Sequence, residues 1–143
     1  MRFMIMAIVP QAQDAAPRLP TTEELAEMGR YQEEMVKAGV LLAGEGLRPT
    51  ALGARLTYVG EGERPQVVDG PFTESKEVIA GFSIIQVRSK AEAIEWASRA
   101  PFPPGSQLEL RQLFEDDDFA AVDPTGELRA QDEKRRQQYG IKA

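Results

Sequence analysis

The sequence contains no cysteine and no histidine. Without cysteine there is no disulfide, no thiolate nucleophile and no cysteine-ligated zinc or iron–sulfur site. Without histidine the chain lacks the commonest general base near neutral pH, the commonest transition-metal ligand and every histidine-containing triad. Carboxylates, lysine, arginine, tyrosine and hydroxyls are what remain for chemistry. Basic charge is scarce as well: 17 Lys and Arg stand against 23 Asp and Glu, a net charge of -6. That balance opposes binding to nucleic acid, which depends on neutralising phosphates, so no direct nucleic-acid partner is expected.

Long apolar runs are also missing. Residues 2–9 (RFMIMAIV) end at Pro10, too short to span a membrane and without a small-residue cleavage pattern after them. They read as a buried first strand, and the protein as cytoplasmic, with no membrane partner. No glycine-rich segment forms a P-loop, since GEGLRP lacks the Lys-Ser/Thr ending. The run Asp116 to Asp118 lacks the spaced oxygen ligands and turn glycine of a calcium loop. No cofactor and no metal site are expected, and the acidic run reads as a surface patch.

What is present fits one domain. A chain of 143 residues supports a single hydrophobic core, and its ten prolines and twelve glycines fall between the apolar runs as punctuation. After the first strand, residues 10–20 read as a loop. Thr21 and Glu24 have capping-box spacing, and Leu25, Met28, Tyr31 or Gln32, Met35 and Val36 recur at helical intervals. Gly39 ends that helix as a left-handed cap. Residues 40–47 read as a second strand. Residues 52–58 alternate as a half-buried strand, which GEGERP turns into a short partner at residues 66–68.

Residues 79–87 (IAGFSIIQV) give the next strong strand. Ser89 and Glu92 repeat the capping-box spacing before a second helix that must end by Pro101, and residues 108–114 (LELRQLF) alternate as a last strand. The order is the split βαββαβ pattern, in which two helices cover one face of a four-stranded antiparallel sheet. The other face needs cover, and a twofold homodimer supplies it with closed symmetry. Residues 121–143 form a polar tail in which 127–139 admit a helix. With only Leu128 and Tyr139 large and apolar, that helix offers little burial to offset its ordering entropy, so a solvated tail is expected, with packing on a dimer mate or another protein as the alternative.

Three stretches in order, MVKAGVLLAGEGLRP (35–49), VVDGPFTESKEVIAGFSIIQVRSKAEAIEWASRAPFP (67–103) and ELRQLFE (109–115), resemble the DGPF-domain branch of the YCII-related proteins. The resemblance covers about residues 1–119 and sets a domain at 1–120 followed by the tail. It implies an α+β, ferredoxin-like βαββαβ fold that forms dimeric α/β barrels with a cleft beside the sheet. Some relatives are thought to be enzymes with a His–Asp pair in that cleft, a dehydrochlorinase among them. Counting back from Gly39 puts the family's histidine near Met28, and a histidine-dependent mechanism is ruled out for this chain. The resemblance also implies a link to extracytoplasmic-function sigma factors and a regulatory role.

Four residues are candidates for a ligand site. Asp69 begins the DGPF block, where Asp-Gly is first a turn signal, with aspartate bonding its own downstream backbone and Gly70 free to take positive φ. Pro71 then fixes a corner that plants Phe72 in the core. The functional reading makes Asp69 a hydrogen-bond acceptor or general base, the candidate catalytic residue, and Phe72 an apolar wall. Glu77 precedes the buried strand after a solvated trio with Glu74 and Lys76. Tyr31 reads as core with its hydroxyl at the surface, or as a donor into the cleft. Trp96 reads as cover for the sheet, and Glu45 with Arg48 as a surface pair.

Two functions follow. One is a regulatory or small-molecule-binding homodimer, with a sigma factor among the partners the resemblance implies. The other is a small lyase- or isomerase-like enzyme using Asp69 in an apolar cleft without histidine.

Overall fold

In the computed structural model, which describes residues 1–139, four strands form one antiparallel sheet in the order β2-β5-β1-β6. They are β1 (Arg2–Pro10), β2 (Leu41–Gly46), β5 (Glu77–Gln86) and β6 (Gln107–Gln112). Helix α2 (Thr22–Lys37) follows β1, and α3 (Lys90–Ser98) joins β5 to β6. This α+β arrangement is compatible with the ferredoxin-like pattern. A two-stranded hairpin, β3 (Ala54–Thr57) with β4 (Gln66–Asp69), is inserted between β2 and β5 and stays outside the main sheet.

Local chemistry sets the element ends. Thr21 Oγ1 accepts the Glu24 N–H at 3.1 Å, and the Thr21 N–H donates to Glu24 Oε2 at 2.8 Å, completing the capping box. Arg18 adds an ion pair to the same carboxylate at 2.6 Å. Gly39, at φ 70°, carries the chain out of α2. At α3 only half the box forms: Ser89 Oγ accepts the Glu92 N–H at 3.1 Å, while the Glu92 carboxylate accepts from the Arg88 N–H at 2.9 Å.

The core lies between helices and sheet. Phe3 and Ile5 of β1 and Ile85 of β5 pack with Tyr31 and Met35 of α2 and Ala93 of α3. Met35 and Ile85 are fully enclosed, and truncating such a side chain to alanine costs about 2–5 kcal/mol. Trp96 packs against this cluster, as expected of cover for the sheet. Leu25 and Val36, which share the helical spacing of α2, are exposed. Val36 lies about 100° around the helix from Met35 and so misses the seam. On β1 the alternate residues Met4 and Met6 point away from the helices, toward the same side as Phe82 and Ile84 of β5, their ladder partners.

Three expectations need correction. Residues 10–20 are not all loop: Gln11–Ala15 form a short helix, α1, because Gln and Ala favour helix once Pro10 has turned the chain. The β3–β4 hairpin is not half-buried, since it leaves the sheet and every one of its strand residues is exposed. Glu45 and Arg48 form no ion pair among the described residues. The tail carries helix α4 (Glu127–Tyr139), and its last four positions, 140–143, lie outside the described residues. No helix among the described residues is long and apolar enough to cross a membrane.

Candidate functional site

The DGPF corner closes the hairpin. Asp69 is the last residue of β4, opposite Ala54, and the Gly70–Pro71 peptide is cis. The Gly70 N–H donates to the Gly53 carbonyl at 2.9 Å. Phe72 is buried, and the Arg55 guanidinium lies 4.0 Å from its ring centroid, a cation–π contact. Arg55 also donates to Ser75 Oγ at 2.9 Å and sits 3.6 Å from Glu74.

A second layer holds the corner against the body. Asp14 of α1 accepts the Thr50 N–H at 3.1 Å and also accepts from the Thr50 hydroxyl. Thr50 opens a single 3₁₀ turn, Thr50–Leu52, whose carbonyl side meets Gly70. The Gln11 N–H donates to the Lys76 carbonyl at 3.0 Å. Helix α1, the Thr50 turn and the DGPF corner are thereby tied into one unit.

Residues 1–126 match the YCII-related domain. The chain belongs to the YCII-related family. No curated protein matches it. The YCII-related match runs past the acidic segment and ends at Gly126, directly before α4.

In this YCII-related chain the four candidate residues do not converge. Asp69 is exposed, and its carboxylate makes no hydrogen bond among the described residues. The expected bond to its own downstream backbone is not formed, because Asp69 is held in the β4 ladder opposite Ala54. Gly70 does not take positive φ either; Gly39, Gly62, Gly105 and Gly126 do. Glycine is needed at 70 for close approach to Thr50 instead. Phe72 is planted as expected, though apart from the main core cluster, and Arg55 covers its ring.

Glu77 is exposed at the start of β5, opposite Pro10. Tyr31 lies on the helix side of the sheet, where its hydroxyl donates to the Trp96 carbonyl at 2.8 Å. Burial raises the Tyr31 pKa against the opposing pull of Arg99, so the phenol stays protonated and bound to helix α3. Asp69 and Phe72 therefore share the corner, while Tyr31 serves the core.

Sequence reasoning missed Asp14 and Arg2. Asp14 lay in a stretch read as loop, and its partner is 36 residues away. Arg2 is buried, and its guanidinium forms an ion pair with Glu115 at 3.1 Å. Its backbone N–H donates to Glu115 Oε1 at 2.9 Å, and its side chain donates to the Phe114 carbonyl at 3.3 Å. Partial burial alone would raise the Glu115 pKa, but the Arg2 hydrogen bonds and charge outweigh it and hold the carboxyl below its ordinary value. A cleft of about 180 Å³ lies beside this pair, lined by Arg2, Glu115, Asp116, Asp117, Glu133 and Arg136. None of the four candidates lines it. Among the described residues no group of acidic side chains is placed to hold a metal ion.

Proposed function

We propose that the protein is a cytoplasmic homodimeric binding module of regulatory role, two copies forming a ferredoxin-like α/β barrel, with its ligand contact at the DGPF corner. One observation carries the reading. The apolar hairpin residues Tyr58, Val67 and Val68 are 82%, 61% and 57% exposed, and no element among the described residues covers them. Apolar surface of this extent on a small chain marks a contact surface. The side of the sheet away from α2 and α3 leaves Met4, Phe82 and Ile84 half-buried, with Met6 beside them buried, and a twofold pair extends its contact from the hairpin over the part of this side that the Arg2–Glu115 segment leaves open.

The Asp69 carboxylate, exposed at the edge of the hairpin, supports a ligand-anchoring role more than a turn-fixing one. Arg55, whose ladder partner is Val68, holds its guanidinium over Phe72 on the other face of the hairpin, so the corner offers a small polar ligand a carboxylate and a cation at separate points. The resemblance to sigma-factor-associated relatives supports a transcription protein as the regulatory partner. Sedimentation velocity tests the assembly, with a single dimeric species at micromolar concentration expected and a monomer counting against it. Native mass spectrometry of protein purified from cells tests the ligand contact. A bound small molecule retained by the wild type and lost in Asp69→Asn supports it, and an empty dimer in both refutes it.

A further inference from the structure

We infer that residues 115–139 form a self-contained arm latched to the body by Arg2, so that the Arg2–Glu115 pair decides whether the arm is docked or free. The arm holds itself together. Asp123 is buried and accepts the N–H groups of Leu128 and Arg129 at 3.4 and 3.0 Å, which caps the start of α4. Arg129 returns its Nε to the Asp123 carboxylate at 3.3 Å and donates to the Asp123 carbonyl at 3.0 Å. Asp132 pairs with Arg135 and Arg136 at 2.9 and 2.6 Å. The Glu115 N–H donates to Asp118 Oδ2 at 2.7 Å, closing the 3₁₀ turn Asp116–Phe119.

What joins the arm to the body is narrow: the Arg2–Glu115 pair, and beside it the Phe119 ring of the arm against Phe114, centroids 5.2 Å apart. Among the described residues, the ion pairs and hydrogen bonds made by positions 116–139 stay inside the arm, and Glu115 reaches out to Arg2 alone. The face of α4 that is partly buried carries Arg129, Asp132 and Arg136, while Leu128 and Tyr139 are exposed. A helix docked by its polar stripe gains little from apolar burial, so its attachment depends on charge geometry. The seam is the cleft between Arg2 and the Glu133–Arg136 side of α4. The carboxylates Asp116, Asp117 and Glu133 outnumber the one other cation lining the cleft, Arg136, which Asp132 holds at 2.6 Å, and so disfavour an outside anion as a replacement for Glu115 on Arg2. Loss of the Glu115 charge is what opens the latch.

The absence of native cysteine allows a clean test on the full chain. Spin labels on Glu95→Cys in α3 and Gln138→Cys in α4, in labelled chains diluted into excess unlabelled protein so that distances within one chain dominate, report the separation of arm and body by double electron–electron resonance. The expected result is one narrow distance peak in the parent, which broadens several-fold in Arg2→Gln and in Glu115→Gln. Trp96 fluorescence should stay native in both variants. A narrow peak retained in both variants overturns the inference, since something other than the pair then docks the arm. Loss of the native Trp96 signal together with broadening in both variants also overturns it, because the pair would then support the whole fold.

Discussion

Gly70 lies so close to Thr50 that a Cβ on it would stand 1.8 Å from the Thr50 carbonyl oxygen. The obstacle is backbone and cannot swing aside. Gly70→Ala should therefore destabilise the protein by about 1–3 kcal/mol or more, the range for overpacking a tight site. Gly46→Ala is the internal control, since nothing lies within 4 Å of its added Cβ. Urea denaturation should show a lowered midpoint for the first and a change within about 0.5 kcal/mol for the second.

Asp14 is the tie between α1 and the Thr50 turn. Asp14→Ala leaves the Thr50 N–H and hydroxyl without their acceptor, and should cost about 1–2 kcal/mol, as for the loss of a capping carboxylate. Hydrogen exchange at the Thr50 amide should rise in this variant before exchange in β1 changes. Equal acceleration across the sheet would show that Asp14 supports the core rather than the corner.

Acid should act through a small set of carboxylates, releasing the arm through Glu115, Asp123 and Asp132 and destabilising the body through Glu24 and Glu92, which the Arg88 N–H and side chain hold below its ordinary value. Arg18 and the Thr21 N–H hold Glu24 down to about 2, and Glu115, Asp123 and Asp132 are also held below their ordinary values. Groups depressed in the fold contribute stability that is complete above their unfolded pKa and is lost as pH falls through the folded one. The melting temperature should stay flat from about pH 7.5 to 5 and fall between about pH 4.5 and 2. With no histidine in the sequence, a step near pH 6.5 would contradict this account.

At Asp69 the two functional readings part. The carboxylate is exposed and makes no hydrogen bond among the described residues, so Asp69→Asn should change stability by less than about 0.5 kcal/mol. A fall in ligand affinity without loss of fold fits an anchoring charge. If the variant instead abolishes turnover of a substrate the wild type converts, Asp69 is a general base and the lyase- or isomerase-like reading replaces the binding module.

Much of the fold was legible because its signals are local. Thr21 and Glu24 are three residues apart, and Gly39 follows its helix directly, so both helix ends could be read from spacing. Sheet strands were legible from the near-continuous apolar runs at 2–9 and 79–87 and from the alternation at 108–114. Exposure of the hairpin was not legible, because alternation in Leu56 and Val67 states a preference for cover and not where the cover is. The candidate site was read less well for the same reason. Tyr31 meets the Trp96 carbonyl across 65 positions, and Arg2 meets Glu115 across 113. Gly70 could be singled out as constrained, but its reason, the Thr50 carbonyl, belongs to tertiary packing.

In the proposed dimer a second copy covers the exposed hairpin, with Tyr58, Val67 and Val68. Light scattering coupled to size exclusion, at micromolar concentration and near-neutral pH, measures this directly. The expected mass is twice that of the 15.8 kDa chain, with Tyr58→Glu and Val67→Glu shifting the protein toward half that value while the far-ultraviolet spectrum is kept. A wild-type mass of one chain across the concentration range would contradict it.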